Sequence, residues 1–268
     1  MIQPLADMPK LALQNIKYVL TDIDDTLTWH GRLPAAAYGA MEKLQNAGIK
    51  ILPITGRPAG WCDHIARMWP VEGVVGENGA FYFRYDVAAK KMLRIYAQDA
   101  MDRHNHKGRL GRIAADVLQK FPGTAMASDQ AYREVDVAID FAEDVKPLPL
   151  ATATLIADYF HEAGAAAKVS SIHVNAWIGT HDKLTMSLRF LQQVFDLNSD
   201  SVKVEVSYVG DSPNDAPMFA HFPHSVGVAN LMPFANLMTD LPRYITKGEG
   251  GAGFAEFADL LLKAQNKA

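Results

Sequence analysis

The chain has 268 residues, 49% of them hydrophobic and 21% charged, the composition of a globular chain of one or two domains. Its 26 Lys and Arg against 30 Asp and Glu leave a net charge of −4, which argues against nucleic acid or an anionic membrane surface as a partner. The single cysteine, Cys62, excludes an intrachain disulfide, no run approaches the roughly 18 apolar residues of a membrane span, and the N-terminus does not read as a signal peptide; together these point to the cytoplasm.

The first part of the chain alternates strand and helix: a strand over 17–22, a helix near 35–47, a strand over 49–54, a helix near 59–69 and a strand over 72–76. This alternation predicts a parallel sheet with helices on both faces, and Gly48 sits where a helix C-cap belongs. The first strand ends in Asp22-Ile-Asp24-Asp25-Thr26-Leu27-Thr28. Carboxylates at i and i+2 of an extended segment share a face. At a strand's C-terminal end that face opens into the crevice where α/β sheets bind ligands. Such a pair suits a site handling Mg²⁺ and a phosphoryl group, or equally a solvated turn or helix cap. Thr55-Gly56-Arg57 occupies the matching end of the strand 49–54.

After Ala80 the pattern changes. Two short antiparallel strands are expected over 81–85 and 92–96. A helix follows near 107–120, then strands near 124–128 and 133–141, a helix near 150–163, and strands near 166–170 and 172–177. This αββ pattern, repeated about twice, reads as an inserted α+β domain over roughly 85–180. The parallel pattern resumes with an amphipathic helix from Lys183, a strand over 203–209 ending in Gly210-Asp211-Ser212-Pro213-Asn214-Asp215, and a strand near 225–228. A glycine-rich turn, 248–253, leads into a closing helix over 254–263.

Taken together, Asp22–Thr28, Thr55, Lys183 and Gly210–Asp215, each in its place, resemble the four ordered motifs of the haloacid-dehalogenase-like phosphohydrolases. Gly76–Ala80 and Gly227–Asn230 match two of the family's accessory turns, and the resemblance runs from about Lys17 to about Leu262. It implies a Rossmann-like parallel-sheet core, 1–84 and 181–268, with an inserted type C2B cap domain over 85–180. This is the subclass IIB arrangement, as in sucrose-phosphatase-like, mannosylphosphoglycerate-phosphatase-like and phosphomannomutase-like proteins. Leu184 stands where many members have glycine, so the branch within the subclass stays open. The implied activity is Mg²⁺-dependent hydrolysis of a small phosphorylated sugar or related metabolite through an aspartyl-phosphate. A sugar phosphomutase and a catalytically silent binding protein are the alternatives.

By the same resemblance Asp22 is the nucleophile and Asp24 the general acid and base. Asp22, the main-chain carbonyl of Asp24, and Asp211 hold Mg²⁺, while Asp215 orients a water on the metal. Thr55, Gly56, Lys183 and Asn214 bind the phosphoryl group. Asp25 reads as a loop acid. His104 and His106 read as exposed loop residues rather than metal ligands, because no further Cys or His stands at suitable spacing. Trp61 and Trp69 read as packing residues. Asn175 and Trp177 are open between substrate contact and packing. The cap cations Lys107, Arg109, Arg112, Lys120, Arg133 and Lys168 read as solvated faces. The glycine-rich turn lacks the lysine and serine of a P-loop and reads as a helix-entry loop.

Overall fold

The computed structural model describes residues 2–266; the outermost ends of the expected core segments, residues 1 and 267–268, lie outside them. After a short edge strand β1 (Gln3–Pro4) and helix α1 (Lys10–Asn15), the chain enters β2 (Tyr18–Thr21), α2 (Ala35–Asn46), β3 (Lys50–Pro53), α3 (Ala59–Met68) and β4 (Val74–Gly76). The hairpin β5 (Phe81–Asp86) and β6 (Lys91–Tyr96) follows. Next come α4 (Ala100–Lys120), β7 (Ala125–Met126), β8 (Val137–Asp140), α5 (Leu150–Glu162), β9 (Ala166–Val169) and β10 (His173–Trp177). The chain then forms α6 (Lys183–Phe195), α7 (Ser199–Glu205), β11 (Val206–Gly210), α8 (Ala216–His221), β12 (His224–Gly227), β13 (Tyr244–Ile245) and α9 (Gly250–Ala264).

The main sheet is parallel, in the order β1-β13-β12-β11-β2-β3. A parallel bridge between Ile54 and Val75 continues it to β4, against which β5 and β6 add antiparallel. The apolar runs that predicted these strands are explained by burial on both faces. Val19, Ile51 and Val209 pack into the cluster that includes Met41, Leu44, Phe254 and Phe257 of α2 and α9, while Leu20, Leu52 and Tyr208 pack with Met186, Phe190 and Phe219 of α6 and α8. The hairpin joins this core, since Phe81, Phe83, Met92 and Tyr96 belong to the first cluster.

The inserted domain has its own sheet, β7-β8-β10-β9, and its own core. Val174 and Ala176 of β10 and Val137 and Ile139 of β8 pack with Leu110, Val117, Ile156 and Phe160 of the two helices. By strand alternation His173, Asn175 and Asp140 occupy the other face, and all three are buried. A solvated sheet face would leave them exposed, so this face is covered. The two linkers to the core are tied together where Gln98 Nε2–H donates to the carbonyl of Ile178 at 2.6 Å. Among the described residues no helix is long and apolar enough to cross a membrane.

Several local expectations are corrected. α4 begins at Ala100, capped by Asp99, so His104 and His106 lie on a helix, where residues two apart point in different directions. Residues 203–205 are helical rather than extended. The glycine-rich stretch is the first turn of α9, not a loop before it. A Cβ on Gly250 or Gly251 would meet the carbonyl of Thr28 or Leu27 at 2.6 Å, so these glycines let α9 approach the acidic loop after β2. Gly79 plays the same part for α6. Its φ is +100°, and a Cβ there would collide with the main chain of Asp182, the N-cap of α6. Gly79→Ala is therefore expected to destabilise the protein by about 2 kcal/mol or more, because neither backbone strain nor a main-chain clash relaxes cheaply. Urea unfolding checks this; a midpoint equal to wild type would mean that α6 can shift freely.

Candidate active site

The C-terminal ends of β2 and β11 bring two acidic stretches together, and α6 presents its first residue between them. Asp22, Asp211 and Asp215 are buried, and each offers a carboxylate oxygen within 4.8 Å of the others. The ammonium of Lys183, also buried, donates to Asp22 Oδ1 and to Asp215 Oδ1, both at 2.9 Å. Two carboxylates thus pair with one ammonium, and a third lies beside them. Burial raises the Asp22 carboxyl to about 7, against the pull of Lys183 and with the push of Asp215 and Asp24. Asp211 is pushed well up by burial and by the neighbouring Asp22, Asp215 and Asp25. Lys183 is raised because Asp215 and Asp22 outweigh its desolvation. A compact, all-oxygen, electron-rich cluster of this kind fits a hard divalent cation.

The three acids are not equivalent. Asp215 Oδ1 accepts from Lys183 and Tyr208, and its Oδ2 accepts from the amides of Asp211 and Ser212 at 3.1 and 3.3 Å. Its lone pairs are engaged in holding Lys183 and the turn that carries Asp211. Asp211 Oδ1 accepts only from Thr26, at 2.7 Å. Asp22 and Asp211 are thus the freer carboxylates. Asn214 Oδ1 lies 3.5 Å from Lys183 Nζ. Thr55 is buried, and its Oγ1 accepts from the Arg57 amide at 3.0 Å. Gly56 lines the same pocket as Asp22, Asp24 and Asn214. Asp25 has φ 55° and burial raises its carboxyl. Asn230 joins the Asp25 carbonyl to the Gly250 amide at 2.9 and 2.8 Å, tying the acidic loop to α9.

The sequence reading passed over Arg57. It is 5% exposed. Its Nε donates to both oxygens of Asp24 at 3.0 Å and its Nη2 to Oδ1 at 2.8 Å. The carboxylate of Asp24 is therefore paired with Arg57 rather than with the acidic cluster. The same guanidinium donates to Glu143 of the inserted domain, Nη2 to Oε1 at 2.7 Å and Nη1 to Oε2 at 3.2 Å, and stacks 4.5 Å over Trp61.

Glu77 was likewise treated only as part of a strand end. With φ of 44° it turns a fully buried carboxylate toward the inserted domain and accepts from the amides of Ala59, Glu134, Val135 and Asp136 at 2.7–3.0 Å. Arg133 is not a solvated cation. It is buried, pairs with Asp129 and Asp136 at 3.0 Å, and donates to the Gly56 carbonyl at 2.9 Å. Asn175 donates to Asp136 at 3.1 Å and lines the pocket beside Asp22 and Asp24. Trp177 stacks on His181 and donates to its carbonyl at 3.1 Å, a packing role. No periodicity marks the pairings that join core and inserted domain, since Glu77 lies 57 to 59 residues from its cap amides and Arg133 lies 77 from Gly56.

Residues 19–106 match the family described as haloacid dehalogenase-like hydrolase, a span that holds Asp22, Asp24, Thr55 and Arg57. No curated protein matches the chain. Among solved structures, Thermoplasma acidophilum 0175 is 16% identical at a TM-score of 0.67, covering 94% of this chain and 99% of its own. The sucrose-phosphatase of Synechocystis sp. PCC6803, solved with sucrose and phosphate, is 14% identical at 0.61, covering 92% and 98%. The sugar phosphatase BT4131, described as subclass IIB of the same superfamily, is 13% identical at 0.59, covering 94% and 100%. At such identities the likeness is one of fold: a Rossmann-like core with an inserted cap along the whole chain.

The contact between Arg57 and the cap carries a pH signature. Burial raises the Glu143 carboxyl, but His173, whose Nε2 lies 3.0 Å away, and Arg57 together hold it down at about 2. A depressed carboxyl contributes stability above its unfolded value near 4.5 and loses it as pH falls toward the folded value. The stability difference between wild type and Glu143→Gln is therefore expected to narrow as pH falls below about 4.5. Urea midpoints measured from pH 7 to 3 check this; a difference that stays level throughout would show that Glu143 is not held by charge.

Proposed function

We propose that this haloacid-dehalogenase-like hydrolase is a Mg²⁺-dependent phosphatase that hydrolyses a small phosphorylated sugar or related metabolite in the cytoplasm. The observation that carries this reading is the meeting of Asp22, Lys183, Asp211 and Asp215 in one buried cluster from three distant stretches of chain. A structural core has no use for three clustered acids, whereas phosphoryl transfer from an anionic ester requires a cation, which such acids can hold.

In this reading Asp22 attacks phosphorus and forms the aspartyl-phosphate as the bond to the leaving oxygen breaks. Asp24 gives that oxygen its proton, then takes one from the water that hydrolyses the acyl phosphate. Lys183 orients Asp22 and, with Thr55, Gly56 and Asn214, holds the phosphoryl oxygens. Asp22, the Asp24 carbonyl and Asp211 would hold Mg²⁺, which when bound supplies the positive charge that lets an anion attack an anion. Asp215 supports Lys183 and the Asp211 turn. The covered face of the cap brings Asn175, His173, Ser170 and Ser171 to the pocket, hydrogen-bonding groups suited to a hydroxylated leaving group. A mutase needs free cations there for a second phosphate. Arg57 and Arg133 are both consumed by carboxylates, so hydrolysis is the favoured outcome.

Asp22→Asn is expected to lower phosphate release by about 10³-fold or more, as loss of a nucleophile does, with unchanged circular dichroism. Turnover near wild type would sink the covalent route. EDTA should abolish activity and Mg²⁺ restore it, with Ca²⁺ a poor substitute because it prefers more ligands and looser geometry. Full turnover in metal-free buffer would contradict the roles of Asp22 and Asp211.

A further inference from the structure

Two cavities flank the small pocket beside Asp22 and Asp24. The first, of about 310 Å³, shares Asp24, Arg57, Ser171 and Ile172 with that pocket. The second, of about 380 Å³, shares Ser170, Ser171, Ser212 and Asn214 with it. Both are large enough for a small ligand. A phosphoryl group held at Asp22 can therefore send its leaving group to either side, and the two linings differ in chemistry.

The first cavity is acidic. Asp24, Asp25 and Glu143 line it together with His30 and Arg57, and Arg57 is already paired with Asp24 and Glu143. The second has no carboxylate in its lining. Its one ionisable residue is Lys168, set among Leu150, Val169, Pro213, Phe234 and Leu237. Lys168 is exposed, as the sequence suggested, yet it is not on an idle face. It lies on β9, the edge strand of the inserted domain's sheet, directly opposite Asn175 of β10. Opposite residues of an antiparallel pair share a face, with their Cβ atoms about 5 Å apart. Asn175 lines the pocket beside Asp22 and Asp24, so Lys168 stands on the same face, one strand further out. Its ammonium has no ion pair or hydrogen bond among the described residues.

We propose that the leaving group extends into the second cavity and carries a carboxylate, and that Lys168 is the residue that recognises it. The proposal rests on the phosphatase reading and narrows its substrates to phosphate monoesters of hydroxy acids, sugar acids among them. A carboxylate sent to the first cavity would meet three acids. In the second it meets a free ammonium on a flexible stem, while Thr154, Ser170 and Ser171 offer hydroxyls to the chain between the two anionic ends. The charge count selects a carboxylate over a second phosphate. One lysine balances a monoanion, whereas a phosphate near its full double charge would be left half compensated.

The test compares matched esters in Mg²⁺ buffer: 6-phosphogluconate with sorbitol 6-phosphate, and 3-phosphoglycerate with glycerol 3-phosphate. Within each pair a carboxylate replaces one hydroxymethyl group and the leaving carbon is the same. In at least one pair wild-type kcat/KM should favour the acid by about fivefold, the scale of an exposed ion pair. The gain should lie mainly in KM, because the contact is made equally before and during reaction, and it should shrink as salt is raised. Lys168→Ala should bring the acid-to-alcohol ratio to about one, Lys168→Glu should take it below one, and Lys168→Arg should keep it. No acid preference in either pair, or a preference that survives Lys168→Ala, would overturn the proposal. So would a Lys168-dependent preference for sorbitol 1,6-bisphosphate over 6-phosphogluconate. Phosphate release without acid preference sinks only the carboxylate, whereas no release from any of these esters or from para-nitrophenyl phosphate would sink the phosphatase reading and the proposal with it.

Discussion

One buried ammonium organises this protein's centre. Lys183 sits between Asp22 and Asp215, and none of the three is more than 5% exposed. Burying these charges is tolerable only where each finds an opposite partner, so the ends of β2 and β11 and the start of α6 must stay in register to within a hydrogen bond. The surrounding details serve that requirement. Asp182 caps α6 through the Thr185 amide at 2.6 Å, Gly79 has no side chain to push the cap away, and Asp215 accepts from the turn amides that carry Asp211. The register is reached by combining strands buried on both faces with close helix approaches that only glycine permits.

The same logic governs the cap. Its sheet turns a polar face inward, where an apolar one would be the simpler way to bury it. That face is satisfied by long-range partners: Glu77 collects three cap amides, Arg133 reaches the Gly56 carbonyl, and Arg57 spans to Glu143. Polar contacts of this kind are directional and exchange readily with water when the domains separate. The cost is specificity of arrangement, visible in the left-handed φ of Glu77 and Asn78.

The sequence by itself determined most of the elements and singled out the acidic stretches. Apolar runs marked β2, β3 and β11, because a parallel strand buried on both faces has no polar position. The acids at their ends stood out because a buried strand end has no structural need of them. The inserted α+β unit was visible in the change of period after Ala80. Element ends were less legible. The start of α9 and the helical stretch before β11 depend on the approach of other segments, as at Gly250 and Gly251 against the acidic loop.

Tertiary structure alone decided which charges meet. Arg57 stood in a recognised motif yet carried no sign of its partners, because Asp24 lies 33 residues before it and Glu143 86 residues after. Arg133 looked like any surface cation, and Glu77 like a turn residue, until folding removed the water around them. Periodicity records which face of an element is apolar. The pairing of buried polar groups is set by the three-dimensional approach of segments distant in the chain, and it is there that this protein joins its inserted domain to the acids at the ends of its core strands.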